Sequence, residues 1–415
     1  MLLKRVAVVG AGPAGLMAAG QASKGGAEVF LFDQNRESGK KLLLTGHGRC
    51  NLTNIVDEKE FLKAFNNQAQ PFLRHSLRSL SNSKLMTFFE NELNVKLVQE
   101  KYNKIYPSSG KSSEVRDALQ YWAVAHKVQL MHGIKIQHLE LNNNSIVSVI
   151  DDNNTPYYVD AVILACGGAS YPTTGSDGSG YTLAESIGHT VKKALPALAP
   201  LDSPDGWVKS LQGLDLDDVE LTLYVNGKHV EKKRGDLLFT HFGLTGPLPM
   251  DISAAVSEAI SSGASDISVD IDLFPDKTPS ELSTELVDKL NSSGKKKIEN
   301  VLSTLMPDRY AEVILQRADL SPDKLSHQFT KQEREAVIKL LKGNRVSILK
   351  TKPLSMAMVT RGGISLDEVD SRTMRSKLVS NLFFAGEILD IDGRTGGFNL
   401  QAAFSTGFVA GKNCM

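Results

Sequence analysis

The chain has 415 residues, and its 47 Lys plus Arg balance 47 Asp plus Glu, so the formal net charge is zero. At roughly 100–200 residues per domain, this length predicts two or three domains. Hydrophobic residues at 41% and charged residues at 23% are ordinary globular usage, which excludes a disordered tail, a collagen-like chain and a disulfide-stapled mini-protein.

In chain order, Arg5–Val9 reads as a strand buried on both faces, followed by Gly10-Ala11-Gly12-Pro13-Ala14-Gly15 and a helix that Gly25-Gly26 stops. Ala27–Phe32 is the next strand, closed by Asp33. Helical patterns cover Phe72–Leu80, Ser83–Leu93 and Ser113–Val124. Strand patterns follow at Gln129–Leu141, broken by Gly133, and at Ser145–Ile150, with a hairpin turn at 151–154. Ala161–Ala165 is a further buried strand. Near Pro196 the composition changes. Val219–Val225, the turn Asn226-Gly227, His229–Lys233 and Ile267–Leu273 then alternate like antiparallel strands. From Pro279 to Lys342 the pattern is helical and charged, and beyond Leu349 the character of the first domain returns, with strand Leu382–Ala385 and a glycine-rich helix start. These elements predict an α/β protein. A discontinuous Rossmann-like domain (1–194 and 345–415) carries a β-rich, barrel-like insert (195–275) and a helical insert (276–344).

Gly10-x-Gly12-x-x-Gly15 stands between a strand and a helix, the context that makes this spacing informative. Gly10 suits the tight turn, Gly12 lets backbone approach a pyrophosphate, and Gly15 lets helix pack on strand. Pro13 and Ala14 open the helix, whose free N–H groups attract phosphate. Asp33, twenty-three positions after Gly10, is placed to accept from ribose hydroxyls. The C-terminal segment points to a flavin. A buried strand ends in Ala385-Gly386-Glu387, then come Asp392 and Gly396-Gly397-Phe398-Asn399 before an Ala/Gly/Ser-rich helix. Glu387, the carboxylate after the strand, suits the ribityl or pyrophosphate region, Asp392 is a further cofactor-binding candidate, and the helix start at Gly397, Phe398 and Asn399 suits the negative edge of a reduced flavin. In the loop Lys40–Asn54, Gly46 permits close approach, Lys41 and Arg49 suit phosphates or an anionic substrate, and Asn51 supplies an amide. Cys50 beside them reads first as a small buried residue. Ala165 and Gly167 close the strand before a loop, 175–180, that has the wrong spacing for a second dinucleotide site.

Gly10–Gly15, Ala165-Cys166-Gly167 and Ala385-Gly386-Glu387 resemble the two-dinucleotide-binding flavoprotein superfamily. Three longer blocks, Gly39–Asn54, Gly167–Tyr181 and Gly235–Pro247, resemble the bacterial NAD(P)/FAD-dependent, aminoacetone-oxidase-family FAD-binding proteins, with His47 where Gly is usual and Asp236 where Glu is usual. The resemblance implies tightly held FAD and the three-part fold. The family spans amine oxidation and carbon–carbon double-bond reduction, so no substrate is implied.

The expected function is hydride transfer between FAD and a small organic substrate, with NAD(P)H as a transient donor in a reductase. An oxygen-using amine oxidase and a non-catalytic flavin module contacting protein or RNA are the alternatives. No catalytic residue is singled out, although His47, His241 and Tyr171 lie in the glycine-rich blocks and are the proton-transfer candidates. No HxxxH, HExxH or CxxC occurs, so no metal is expected. Three scattered cysteines and the lack of a signal-like start predict a cytoplasmic location, and no apolar run is long enough to predict a membrane partner. Balanced charge argues against DNA and RNA, since binding phosphate requires a positive field.

Overall fold

The computed structural model describes residues 3–415. They form two compact units, one joining the chain up to Ala197 with Pro353–Met415, the other Leu198–Lys352.

The first unit is built on five parallel strands: β1 (Arg5–Val9), β2 (Glu28–Asp33), β3 (Gln129–His132), β4 (Ala161–Leu164) and β5 (Leu382–Phe384). Their order is β5–β4–β1–β2–β3, with Val8 aligned to both Leu31 and Ile163. Strand order therefore reverses between β1 and β4. A doubly wound sheet binds its ligand outside the carboxyl ends of its strands at such a switch point. The β-branched run Val6–Val9 and all of β4 are buried, as a parallel sheet covered on both faces requires. Helix α1 (Pro13–Lys24) returns from β1, α2 (Ser112–Ala125) precedes β3, and α3 (Phe398–Asn413) follows β5. α3 lies directly on α1: a Cβ at Gly407 would sit 2.3 Å from the Ala14 carbonyl oxygen, and one at Gly411 2.3 Å from that of Ala18.

Three small antiparallel sheets complete this unit: Thr53–Asn54 with Lys104–Pro107 and Leu97–Glu100; Ile136–Asn142 with Ser145–Asp151 and Pro156–Tyr158; and Val191–Ala197 with Val359–Ile364. The helix expected over Ser83–Leu93 is α-helical over Asn82–Thr87 and widens to a π-turn over Phe88–Glu92, where both phenylalanines are buried.

His189 is fully enclosed, with Glu368 Oε2 at 3.1 Å on Nδ1, Ser376 Oγ at 2.8 Å on Nε2, and its ring edge-on to Phe384 at 4.8 Å. Burial lowers its pKa from 6.5, and the Glu368 carboxylate only partly opposes this. The unfolded chain therefore binds this proton more readily than the fold does. The resulting penalty is absent above pH about 6.5 and grows as pH falls below it. Denaturant midpoints are expected to drop between pH 7.5 and 5.5, with His189→Gln flattening the difference. An unchanged pH step in that variant would assign the effect to other groups.

The second unit holds a seven-stranded antiparallel sheet and a set of helices. Its longest hairpin pairs Asp215–Val225 with Lys228–Phe239 across Asn226-Gly227, both in left-handed backbone, as a two-residue hairpin turn matching strand twist demands. Asn344–Ser347 pairs with Ile267–Asp272, and three residues on Lys350–Thr351 pairs with Leu201–Asp202. One bent segment thus joins the sheet's two ends, which gives the unit its barrel-like curl. Helices Pro279–Ser292 and Lys331–Lys342 each start from a reciprocal cap, Thr278 with Glu281 and Thr330 with Glu333. Among the described residues no helix is long and apolar enough to cross a membrane.

Candidate active site

At the carboxyl edge of the parallel sheet the three glycines of the first turn have different reasons to be glycine. A Cβ at Gly10 would lie 2.5 Å from the Ala165 carbonyl oxygen, and one at Gly15 1.8 Å from that of Gly10. At Gly12 it would meet nothing within 4 Å. Gly10 and Gly15 are thus fixed by the protein's own packing, whereas Gly12 borders open space at a helix start. No side chain caps α1, and its first intrahelical bond is Leu16 N–H to Gly12 O, so the Ala14 and Gly15 N–H groups precede the ladder. Pro13, at the first helical position, has no N–H to leave unmet. Asp33, at the end of β2, accepts from Ala11 N–H (2.7 Å) through Oδ2 and from the Asn35 backbone and side chain (2.8 and 2.9 Å) through Oδ1. These bonds fix its orientation and leave lone pairs for a diol. The loop beyond Gly167 reaches this corner too: Gln34 donates to Gly175 O (2.9 Å) and Asn35 to Thr174 O (3.0 Å).

The second uncapped helix start on this edge is that of α3. Gly397 (φ 92°) is pressed on Thr53, whose backbone a Cβ would meet at 2.6 Å. Gln401 N–H to Gly397 O is the first intrahelical bond, so the N–H groups of Phe398, Asn399 and Leu400 stand before it. Asn51 satisfies its surroundings with its amide turned so that Oδ1 accepts from Gly397 N–H (3.1 Å) while Nδ2 donates to Thr53 O (3.2 Å) and Ile105 O (3.3 Å). The Phe398 ring packs edge-on to Phe61 at 4.8 Å, and the Asn399 amide closes on Gly393 N–H and C=O, both at 2.8 Å. Their side chains therefore serve the loop, and only their backbone faces outward as helix-start donors. Asp392 accepts from Asn66 (2.9 Å) and pairs with Arg361 (3.4 Å).

A charged cluster follows the end of β5. Lys41 Nζ is 2.8 Å from Glu387 Oε2 and 2.6 Å from Ser170 Oγ. Glu387 Oε1 accepts from Thr360 N–H (2.7 Å) and Ser170 Oγ (3.0 Å). Gly386 N–H bonds Thr406 Oγ1 of α3 (2.9 Å), tying the β5 end to that helix. Sequence reasoning named Lys41 and Glu387 separately, but it did not see that they pair, nor that Ser170 and Thr360 complete the network. Ser170 stood inside the Gly167–Tyr181 block; Thr360 carried no signal.

Other singled-out residues are engaged elsewhere. Arg49 pairs with Glu100 and lies 4.4 Å over the Tyr106 ring. Gly46, in left-handed backbone, packs against Tyr106 and Asn51. Burial pushes the Cys50 and Cys166 thiols up to about 12, so neither is a thiolate nucleophile at neutral pH. His47 is exposed, Tyr171 is half-buried next to Ser170, and His241 is exposed in the second unit. No group of metal-ligating side chains occurs among the described residues.

A model of the HI0933-like protein Rossmann domain matches residues 4–413. The chain belongs to this family. HI0933-like proteins lie within the FAD-binding oxidoreductases, and the open Gly12 turn, the two uncapped helix starts and the oriented Asp33 fit such a dinucleotide. The chain is 28% identical over 412 residues to the 3-dehydro-bile acid delta(4,6)-reductase of Clostridium scindens, covering 99% of this chain and 98% of that protein. It is 27% identical over 406 residues to the ribosomal RNA dihydrouridine synthase of Escherichia coli K12, covering 98% and 96%. In fold it is similar to the 3-ketosteroid delta1-dehydrogenase of Sterolibacterium denitrificans, with a TM-score of 0.54 at 12% identity over 99% of this chain and 98% of that one.

Proposed function

We propose that this HI0933-like protein is a reductase that saturates a carbon–carbon double bond conjugated to a carbonyl. The observation that carries this reading is the full-length similarity to two proteins whose names differ in substrate and agree in chemistry. A delta(4,6) bond of a 3-dehydro bile acid and the pyrimidine double bond lost in forming dihydrouridine are both conjugated to C=O. A resident flavin supplies the hydride. The chain's own residues then have separable tasks. The Ala14 and Gly15 N–H groups and the Gly12 turn hold the pyrophosphate, and Asp33 orients the ribose. The N–H groups of Phe398, Asn399 and Leu400 favour negative charge at their helix start. Lys41, held by Glu387 and Ser170, keeps a cation at the end of β5 and fixes the loop that carries Asn51. Tyr171, which follows Ser170 in the chain, is the proposed proton-transfer residue to test first. NAD(P)H is the proposed electron donor, and a small organic molecule is the first acceptor class to test.

The test is anaerobic. Protein reduced with NADH, NADPH or light is mixed with a 3-oxo-4,6-diene bile acid, a 4-en-3-one steroid or uridine, and flavin absorbance is followed. Return of oxidised flavin with a product two hydrogens heavier is the expected result. Reduced flavin inert to every conjugated acceptor, yet reoxidised by air within seconds and rereduced by an amine, would replace this reading by the oxidase.

A further inference from the structure

The first turn of α3 is held by buried side chains to which the proposed flavin site gives no task. Thr53, Gln401 and Ser405 are each fully enclosed, at 0% exposure. Thr53 Oγ1 donates to Gln401 Oε1 at 2.6 Å. Gln401 Nε2 donates to Leu80 O at 2.8 Å and to Ser405 Oγ at 3.0 Å, and Ser405 Oγ donates to the same Leu80 O at 2.8 Å. Leu80 ends the helix Ala69–Ser79, and carbonyls at a helix end have no partner within the helix. A single side-chain amide thus joins α3, the strand Thr53–Asn54 and the end of a third element.

This bonding leaves Gln401 one orientation. The hydroxyl proton of Thr53 and both amide protons are committed, and reversing the amide would set Oε1 against the Leu80 carbonyl. The backbones of the same two residues grip the helix start. Gln401 N–H makes the first intrahelical bond, onto Gly397 O, and a Cβ at Gly397 would meet the Thr53 backbone at 2.6 Å. Asn54 Nδ2 adds a bond to Gly396 O at 3.1 Å. An apolar side chain would fill so buried a site without any polar group to satisfy. An amide with every bond made instead fixes the slide and rotation of the helix.

We propose that Gln401 is a positioning residue that sets the flavin's reduction potential, by holding the Phe398, Asn399 and Leu400 N–H groups against the negative edge of the reduced ring. Two electrons and one proton, delivered as hydride from a nicotinamide to N5, leave one negative charge on the flavin, spread over N1 and the C2 carbonyl. Donors aimed at that charge favour the reduced form. Their effect requires placement to about 0.5 Å, which the side chains behind them secure. The inference rests on the flavin placement proposed above and not on the identity of the acceptor.

The experiment is anaerobic equilibration of the FAD-loaded chain with reference dyes of known potential, read by flavin absorbance. Gln401→Met keeps the reach of the side chain and removes its three bonds. At the potential where the unmodified chain is half reduced, its ratio of reduced to oxidised flavin is expected to be about tenfold lower, about 30 mV for a two-electron couple. Thr53→Val removes one hydroxyl and is expected to shift the ratio in the same direction by about threefold. It decides alone should Gln401→Met not fold. Ser405→Ala breaks the same network one turn farther from the helix start. Its melting temperature is expected to fall while the ratio stays within about twofold. Unchanged ratios in both Gln401→Met and Thr53→Val would overturn the inference. So would an equal shift in Ser405→Ala, which would assign the effect to a general loosening of α3. Unchanged potentials in chains that still reduce a conjugated enone remove only this inference. A shifted potential in a chain inert to every enone removes only the reductase reading, and a chain that binds no FAD removes both.

Discussion

Gly12→Glu is expected to yield a folded protein that does not retain FAD. The backbone at Gly12, φ −78° and ψ −175°, is open to any residue, and a Cβ there meets nothing within 4 Å. Near the positive end of α1 a carboxylate even favours the cofactor-free helix by a few tenths of a kcal/mol. With the dinucleotide held as proposed, that carboxylate would face pyrophosphate. Like charges about 4 Å apart at an effective dielectric of about 20 repel by about 4 kcal/mol, which is about a thousandfold in affinity. Flavin absorbance per chain after purification reads the loss, and the melting temperature of flavin-stripped protein checks the fold. Gly10→Ala is the contrasting variant: its Cβ would crowd Ala165 O at 2.5 Å in a φ of +105°, so it is expected to lower stability itself. Stoichiometric flavin in Gly12→Glu would sink the proposed pyrophosphate site.

Gly407→Val is expected to produce the largest loss of stability. The new Cβ would stand 2.3 Å from Ala14 O, a backbone atom that cannot swing aside. Relief requires α3 to separate from α1, a forced overpacking that costs about 3 kcal/mol. For a unit of this size that corresponds to a melting point lower by about 6–12 °C. Because α1 and α3 supply the two helix starts, flavin is expected to be lost at temperatures where the chain is still folded. Lys412→Val, an exposed change on the same helix, serves as the control and is expected to move the melting point by no more than about 2 °C. Equal melting of the two variants would show that the close helix contact is not what holds this unit together.

The parts of this architecture that announce themselves in sequence are those with local causes. Val6–Val9 and Ala161–Leu164 are apolar runs too short for helices, each ending at glycines, and both are strands of the parallel sheet. Asn226-Gly227 specifies its hairpin because both residues tolerate left-handed backbone. Gly12 and Asp33 stand out because motif spacing encodes a strand–turn–helix unit. What is hidden depends on distant partners. Val191–Ala197 contains two lysines and a proline and becomes a strand only because Val359–Ile364 pairs with it. Arg49 reads as a phosphate ligand until Glu100, fifty-one residues on, is seen to hold it.

The packing of α3 on α1 also has a consequence for the order of events in synthesis. The Gly10–Gly15 turn leaves the ribosome some 380 residues before the helix that starts at Phe398. At about 5–20 residues per second this is a wait of about 20–80 s. Throughout it the small-residue face of α1 lacks its cover and half of the proposed flavin cradle does not exist. If both helix starts hold the flavin as proposed, cofactor capture is expected to follow translation, and a chain cut short within its final turns is expected to accumulate as colourless protein.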